Sequence, residues 1–454
     1  MPRRADTPVS SQDMRSPKAA ARLRERECFV YIQLPGSTEV VTCGRFVQEE
    51  TVAGGVVGRF VYGRTYRLRP DAVPLDPFNL PLSDRVYATA KLGGIFGALR
   101  DASPDKWGRL VIERALGRTD LTEVDFLLQS PEDRAGALSF GRGTVPPPPV
   151  WEYNRVVQLP ELLEAARLLQ EDPSGLTIPA DMRHAELLLQ YGGTSMGGAR
   201  AKSVVEDEEG LWVAKFPERA DRWTNAVVED AMLGLARRCE IHTPPTRVQM
   251  VGPHAVLMVK RFDREQLEPG PNRDSRYLRH RMVSALTVLD AEESPTDRRN
   301  WSYLLLADEL RRWSRRPRED RQELFRRMVL NALVSNLDDH PRNHALIAPG
   351  KEWQLAPAYD ITPDPRPGQQ DRDLAMICGR LGRRARRANL LSAASRFDLS
   401  EEDANAIIDR MVDVVRSEWE GEVRRHGGTD ADCAAIAPAF VHEGFEYEVV
   451  EQGP

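Results

Sequence analysis

Asn336-Leu337-Asp338-Asp339-His340-Pro341-Arg342-Asn343, followed by Leu355-Ala356-Pro357-Ala358-Tyr359-Asp360, is the stretch on which the reading of this chain turns. Asp338 precedes Asn343 by five positions. In phosphoryl-transfer loops that spacing lets an acid orient the acceptor hydroxyl while an amide oxygen holds a metal ion. Asp360 lies on a separate segment and supplies a second acid. Magnesium takes hard oxygen ligands and keeps room for water and phosphate, so two carboxylates and an amide suit it. Asp, Asn and His also crowd ordinary loops, because their side chains bond nearby backbone groups. The flanks favour the chemical reading. Leu324, Met328, Leu330, Leu333 and Val334 recur at helical spacing. Pro341 forbids continuation of that helix, and Trp353-Gln354-Leu355 reads as a short strand leading to Asp360.

Helix, loop, strand, acid is the order that a kinase large lobe requires. Upstream lies Gly192-Gly193-Thr194-Ser195-Met196-Gly197-Gly198-Ala199-Arg200-Ala201-Lys202-Ser203. Glycines let backbone amides turn inward and approach an anion closely. The Walker A loop is excluded. Ala201 stands where that motif needs Gly before Lys-Ser, and Met196 stands at its first Gly. Leu211-Trp212-Val213-Ala214-Lys215-Phe216-Pro217 follows, an apolar strand carrying one Lys. Kinases present an ammonium to the α- and β-phosphates in this way. Glu229 is fourteen positions on, near the start of the next helical stretch. It is either the partner that fixes Lys215 or a surface helix charge. Ser195 and Thr194 are hydroxyls among glycines. Either caps a turn or accepts a phosphate.

At 454 residues two or three domains are expected. A formal net charge of −6 gives no global case for nucleic-acid binding. Five scattered cysteines form no C-x-x-C pair, which argues against a zinc ribbon or redox dithiol and for a reduced, cytoplasmic setting. No apolar run reaches membrane-spanning length. Residues 1–27 are polar and Arg- and Ala-rich and read as a disordered tail. Residues 28–142 read as a β-rich module followed by helices, and 143–154 as a Pro-rich linker. Residues 155–265 read as a sheet lobe with one helix, the 190–217 stretch being a Gly-rich loop flanked by strands. Residues 266–454 read as a helical lobe. The fold class expected is α+β: a bilobal protein-kinase-like fold with a β-rich amino-terminal subdomain and a helical carboxy-terminal lobe.

From about residue 28 to 420 the chain resembles the HipA-type serine/threonine kinases, the toxins of type II toxin–antitoxin pairs. The motifs that carry the likeness are Gly193-Thr194-Ser195 with Gly198-Ala199-Arg200-Ala201-Lys202, Ala214-Lys215-Phe216-Pro217, Lys260-Arg261-Phe262-Asp263-Arg264, and the 336–343 and 356–360 runs. Ala102-Ser103-Pro104-Asp105-Lys106-Trp107-Gly108-Arg109 and Gly136-Ala137-Leu138 resemble the family's amino-terminal subdomain. The resemblance implies Asp338 as catalytic base, Asn343 and Asp360 as magnesium ligands, and Lys215 on the ATP phosphates. Lys260, Arg261 and Phe262 would form the hinge beside adenine, with Asp263 near the ribose and metal. Ser195, Gly197, Gly198, Lys202, Glu229, His340 and Asn343 would complete the ATP site. Ser195 would be the autophosphorylated loop serine. Further implications are ATP and Mg2+ as cofactors, a protein substrate such as an aminoacyl-tRNA synthetase, and a helix-turn-helix antitoxin through which alone DNA is reached, with no membrane. Lys260 departs from a family position that is often Glu. The alternative functions are a kinase of related fold acting on a small molecule, and an ATP-binding scaffold that transfers nothing. The basic run 380–387 faces an acidic partner, tRNA or DNA, or is a solvated face, the commoner fate of such runs.

Overall fold

The computed structural model describes residues 25–148, 153–171, 179–190, 200–268 and 277–447. The first module is an antiparallel five-stranded sheet. Its strands are β1 (Glu25–Gln33), β2 (Val40–Glu50), β3 (Val56–Tyr62), β4 (Tyr87–Thr89) and β5 (Leu138–Gly141), in the order β4-β3-β2-β1-β5. Val30, Ile32, Phe46 and Phe60 are fully buried on its inner face. β1 begins three residues before the expected start at Cys28, because Arg26 is anchored to Asp125 and its backbone pairs with Gln48. The stretch expected to be helical holds β4 and the short helices Gly97–Asp101, Lys106–Leu116 and Glu123–Gln129. Asp105 caps the second of these and Thr122 the third, each accepting from a backbone amide of the first turn.

The second module is a five-stranded sheet of β6 (Asn154–Arg155), β7 (Lys202–Asp207), β8 (Gly210–Lys215), β9 (Thr246–Val251) and β10 (His254–Lys260), ordered β6-β7-β8-β10-β9. Only the β6–β7 pair is parallel. The near side of the Gly-rich stretch is the helix Pro179–Gln190 rather than a strand. Helix Asn225–Arg238 is buried along almost its whole length. It packs against β9 and β10 on one side and helix Glu401–Arg425 on the other. That double contact explains why Ala226 to Ala236 are all buried, the charged Glu229 and Asp230 included.

The rest is mainly helical. Helix Pro317–Leu333 starts with Pro at its first turn and carries Glu319 and Asp320 there, which suits the positive end of its dipole. It stops at Ser335, whose φ is +52°. A small sheet pairs Arg281–Ser284 with Ala345–Ala348 and Gln354–Leu355, and the last two strands carry the chain from the 336–343 loop to Asp360. Among the described residues no helix is long and apolar enough to cross a membrane.

Candidate active site

The alternation of β8 sorts its side chains. Trp212 and Ala214 join the buried cluster beneath helix Leu159–Glu171, while Val213 and Lys215 face a cleft below the sheet. Val259, the register partner of Val213, faces the same cleft. Met282, Phe262 and Tyr359 form an apolar wall there, and the last two rings stack at 5.7 Å between centroids. Lys260, Arg261, His340, Asn343 and Asp360 also line this cleft.

Lys215 is the hub. Its Nζ donates to Glu229 Oε1 at 2.6 Å and to Asp360 Oδ1 at 2.9 Å. Burial works against the ammonium, but the Asp360 and Glu229 carboxylates outweigh it and hold the lysine pKa above its ordinary value. Glu229 is 4% exposed. Burial pushes its carboxyl up, opposed by Lys215. Asp360 behaves oppositely: Lys215 lowers its pKa against the effect of burial, and its side chain stays 37% open to the cleft. Two carboxylates therefore share one ammonium, and the more open one stays ionised.

Asp360 has φ +62°, the left-handed region that non-glycine residues seldom occupy. Asn336 Nδ2 contacts the Asp360 carbonyl at 3.5 Å and Asn331 Oδ1 at 3.0 Å, tying the Asp360 segment to the polar loop. Strain of this kind persists where surroundings over-determine it, and it gathers at working sites.

The loop itself divides its two adjacent acids. Asp339 is buried, accepts from Tyr303 Oη and pairs with His344 Nε2 at 2.8 Å. Asp338 is exposed to the concave space beyond the cleft. Partial burial raises its pKa, His340 opposes this, and Asp360 and Asp339 reinforce it. His340 N donates to Asp338 O at 2.8 Å and Asn343 N to His340 O at 2.9 Å. These bonds fold the loop so that Asn343 reaches the cleft.

The donor set suits magnesium. An ionised carboxylate and an amide oxygen face one cleft, and Mg2+ takes one or two protein oxygens with the rest from water and phosphate. Among the described residues, no group of three or more His, Cys, Asp or Glu is placed to hold a metal. A cation here would need further oxygens brought by its nucleotide.

Residues 194–419 match the family model described as the HipA-like C-terminal domain. The HipA of the Shewanella oneidensis MR-1 toxin–antitoxin system, solved with HipB and its operator DNA, superposes with a TM-score of 0.63 at 17% identity. The match covers 90% of this chain and 94% of that one. The segment 194–419 belongs to the HipA-like C-terminal domain family. The superposition spans both the amino-terminal module and the two kinase-like lobes, so the bilobal frame is that of HipA. A Helicobacter pylori proinflammatory kinase, CtkA, aligns at a TM-score of 0.36 and 15% identity over 55% of this chain and 92% of that one, too distant to add to the assignment. No curated protein matches the sequence.

Within that HipA-like frame the expected site residues part company. Lys215, Glu229, Lys260, Arg261, Phe262, His340, Asn343 and Asp360 converge on the cleft or its walls, with Asp338 beside it. Asp263 does not. It is 0% exposed and is bound by Arg261 at 2.8 Å, Arg264 at 2.7 Å and the Gly136 amide at 2.9 Å. Burial opposes its charge, but the two guanidiniums hold its pKa far below the carboxylate range. It pins the amino-terminal module to the Arg261–Arg264 segment, a structural anchor where the sequence suggested a nucleotide contact. Lys202 is likewise an anchor. It is buried and its Nζ is 2.5 Å from Asp105 Oδ2, while its carbonyl accepts from Trp107 Nε1 at 3.0 Å. Asp105 Oδ1 meanwhile caps helix Lys106–Leu116 through Gly108 N. One carboxylate thus links that helix to the root of the Gly-rich segment. Ser195, Gly197 and Gly198 lie outside the described residues, as does Thr194.

Sequence reasoning missed Ser335 and Arg372. Ser335 Oγ donates to Ala439 O at 2.6 Å and accepts from Arg372, and the Ser335 carbonyl accepts from Asp364 N at 3.0 Å. Arg372 also donates to Pro438 O at 2.6 Å. The carboxy-terminal segment therefore clamps the turn from which both the Asp338 loop and the Asp360 segment depart. A serine between an apolar helix and a polar run was the one signal.

Proposed function

We propose that this HipA-like chain is a magnesium- and ATP-dependent serine/threonine protein kinase that acts as a growth-arresting toxin. The observation that carries the reading is the Lys215 ammonium shared between Glu229 and Asp360 in the cleft that Asn343 lines, with Asp338 exposed next to it. Phosphoryl transfer needs chiefly alignment and charge stabilisation, and these groups provide both.

In this reading the apolar wall of Phe262, Tyr359, Met282 and Val213 receives the adenine, and the Lys260–Phe262 strip borders it. The cleft holds about 110 Å3, so the phosphates extend past Lys215 towards His340. Lys215 binds them and is kept from swinging away by Glu229. Asp360 and Asn343 would hold magnesium, which supplies charge neutralisation at the phosphates. Asp338 accepts the hydrogen bond of the Ser or Thr hydroxyl and keeps it in line. A raised pKa brings that base nearer to the pH at which it works.

The Shewanella relative was solved with HipB and operator DNA. By that likeness we infer a small helix-turn-helix antitoxin as this chain's partner, a translation protein such as an aminoacyl-tRNA synthetase as its target, and the cytoplasm as its setting. Phosphate on Ser195 would add nearly two negative charges to the Gly-rich stretch, and their repulsion of the ATP phosphates would silence the enzyme. Incubation with Mg-ATP followed by mass spectrometry tests this. Phosphate on Ser195 is the expected result, and phosphate elsewhere with Ser195 unmodified refutes the silencing step. Radiolabelled ATP added to lysate tests the kinase reading, which requires labelled protein bands that depend on magnesium.

A further inference from the structure

Beyond the cleft lies a chamber of about 1140 Å3, bounded on one side by helix Lys106–Leu116 and on the other by residues 366–384. His340 and Arg342 line both spaces, so the two meet at the catalytic-type loop. Asp338 is on the wall of the chamber and not of the cleft. An acceptor hydroxyl that reaches Asp338 must therefore come from the chamber. The space is half open to solvent rather than an enclosed pocket, which suits a polypeptide segment better than a sugar or lipid headgroup.

The lining inverts the charge of the chain. Eight lining side chains are Arg or Lys and six are Asp or Glu, against a formal −6 overall. Most of these charges are already engaged: Asp105 is buried against Lys202, Arg109 is held by Glu123, Arg366 by Asp364, and Arg383 and Arg384 by Asp373 and Asp371, while Asp338 is the base. Glu293 is shared by Arg342 and, at 3.9 Å, Arg100. Two exposed cations of the lining stand outside these pairs: Lys106, at the start of helix Lys106–Leu116, and Arg298, in the turn Pro295–Asn300. Arg298 is steadied over the Trp301 ring at 5.5 Å. Leu110, Leu337 and Leu374 give apolar ground between the charges.

We infer that this chamber is the acceptor site and that it takes an acidic protein segment: a Ser or Thr flanked by Asp or Glu, with an apolar side chain nearby. The inference rests on the kinase reading above. Charge complementarity of this kind sets specificity and encounter more than raw affinity, so discrimination between segments is the property to measure.

The experiment is a Ser/Thr peptide library presented to the full-length protein with Mg-ATP, with self-phosphorylation followed in parallel. Acid-flanked peptides are expected to exceed Lys/Arg-flanked ones at least tenfold in kcat/KM. The double variant Lys106→Glu, Arg298→Glu is expected to reverse that order. Glu suits the first turn of the helix at 106, and both positions are exposed, so folding is retained. The wild-type preference stands as a second reading independent of the variant. A kinase that labels itself but ignores flanking charge, or prefers basic flanks, overturns the inference and leaves the kinase reading intact. No labelling of any protein or peptide would refute the kinase reading itself. Micromolar binding of an RNA hairpin that competes with peptide, with no ranking among peptides, would assign the chamber to nucleic acid and overturn the inference.

Discussion

Replacing Lys215 by Met removes the cation from between two carboxylates and leaves a side chain of similar length. The consequence is set by Glu229. That carboxylate is 4% exposed and loses a partner at 2.6 Å. Removing one member of a buried pair strands the other, at a cost of about 3–5 kcal/mol. Asp360 is open to the cleft and regains water, so it adds little. In the variant the folded-state pKa of Glu229 rises further above its unfolded value, so the folded protein binds the extra proton. The destabilisation is then full at pH 7.5 and shrinks as the pH falls through that raised pKa. Adding Glu229→Gln removes the stranded charge, and the double variant should recover most of the loss. Transfer activity should fall roughly 100-fold or more in both, since the phosphates lose a fixed charge. Urea denaturation of the four proteins at pH 7.5 and pH 5 measures this. Equal stability of wild type and Lys215→Met at pH 7.5, or no recovery from Glu229→Gln, would refute the reasoning.

Three further outcomes are expected. Asp105→Asn keeps the helix cap, because Asn caps as well as Asp, yet takes the carboxylate at 2.5 Å from the buried Lys202 ammonium. It should cost about 1–3 kcal/mol of unfolding free energy, read from urea titration, without loss of far-ultraviolet helicity. Ser335→Ala deprives Arg372 of an acceptor in a buried turn, costing about 1–3 kcal/mol. As a positioning change it should lower kcat while KM for ATP holds, measured by steady-state kinetics. Because Asp338 must be ionised to accept the hydroxyl proton and its pKa is raised, kcat/KM should decline with acid at a pH above the ordinary aspartate range near 4. A pH–rate profile flat down to pH 4 would contradict that role.

The local chemistry was legible in the sequence because it is written in short spacings. The acid and amide five apart, the Lys on an apolar strand and the Glu one helix turn into the next element are each fixed by the geometry of a single strand, loop or helix. What could not be read were the long-range partners. Lys202 looks like a phosphate ligand until a carboxylate ninety-seven positions away claims it. Asp263 looks like a cleft acid, although two flanking arginines, Arg261 and Arg264, were a hint that its charge would be neutralised and buried. Ser335 carries its role in a backbone angle and in a carboxy-terminal segment 104 positions on, neither of which leaves a local pattern. The β-rich start was legible through its Val, Phe and Tyr content, but β1 reached into polar residues because a tertiary anchor at Arg26 overrode their weak strand preference.

The central claim is that Asp338, beside the Lys215–Asp360 cleft, receives the acceptor hydroxyl of a phosphoryl transfer. The most direct test is labelled-phosphate transfer from Mg-ATP by wild type and by Asp338→Gln, with nucleotide affinity measured by calorimetry on the same samples. The account requires transfer by the wild type, none by the variant, and ATP affinity retained within a few-fold. Transfer by Asp338→Gln at the wild-type rate would contradict it.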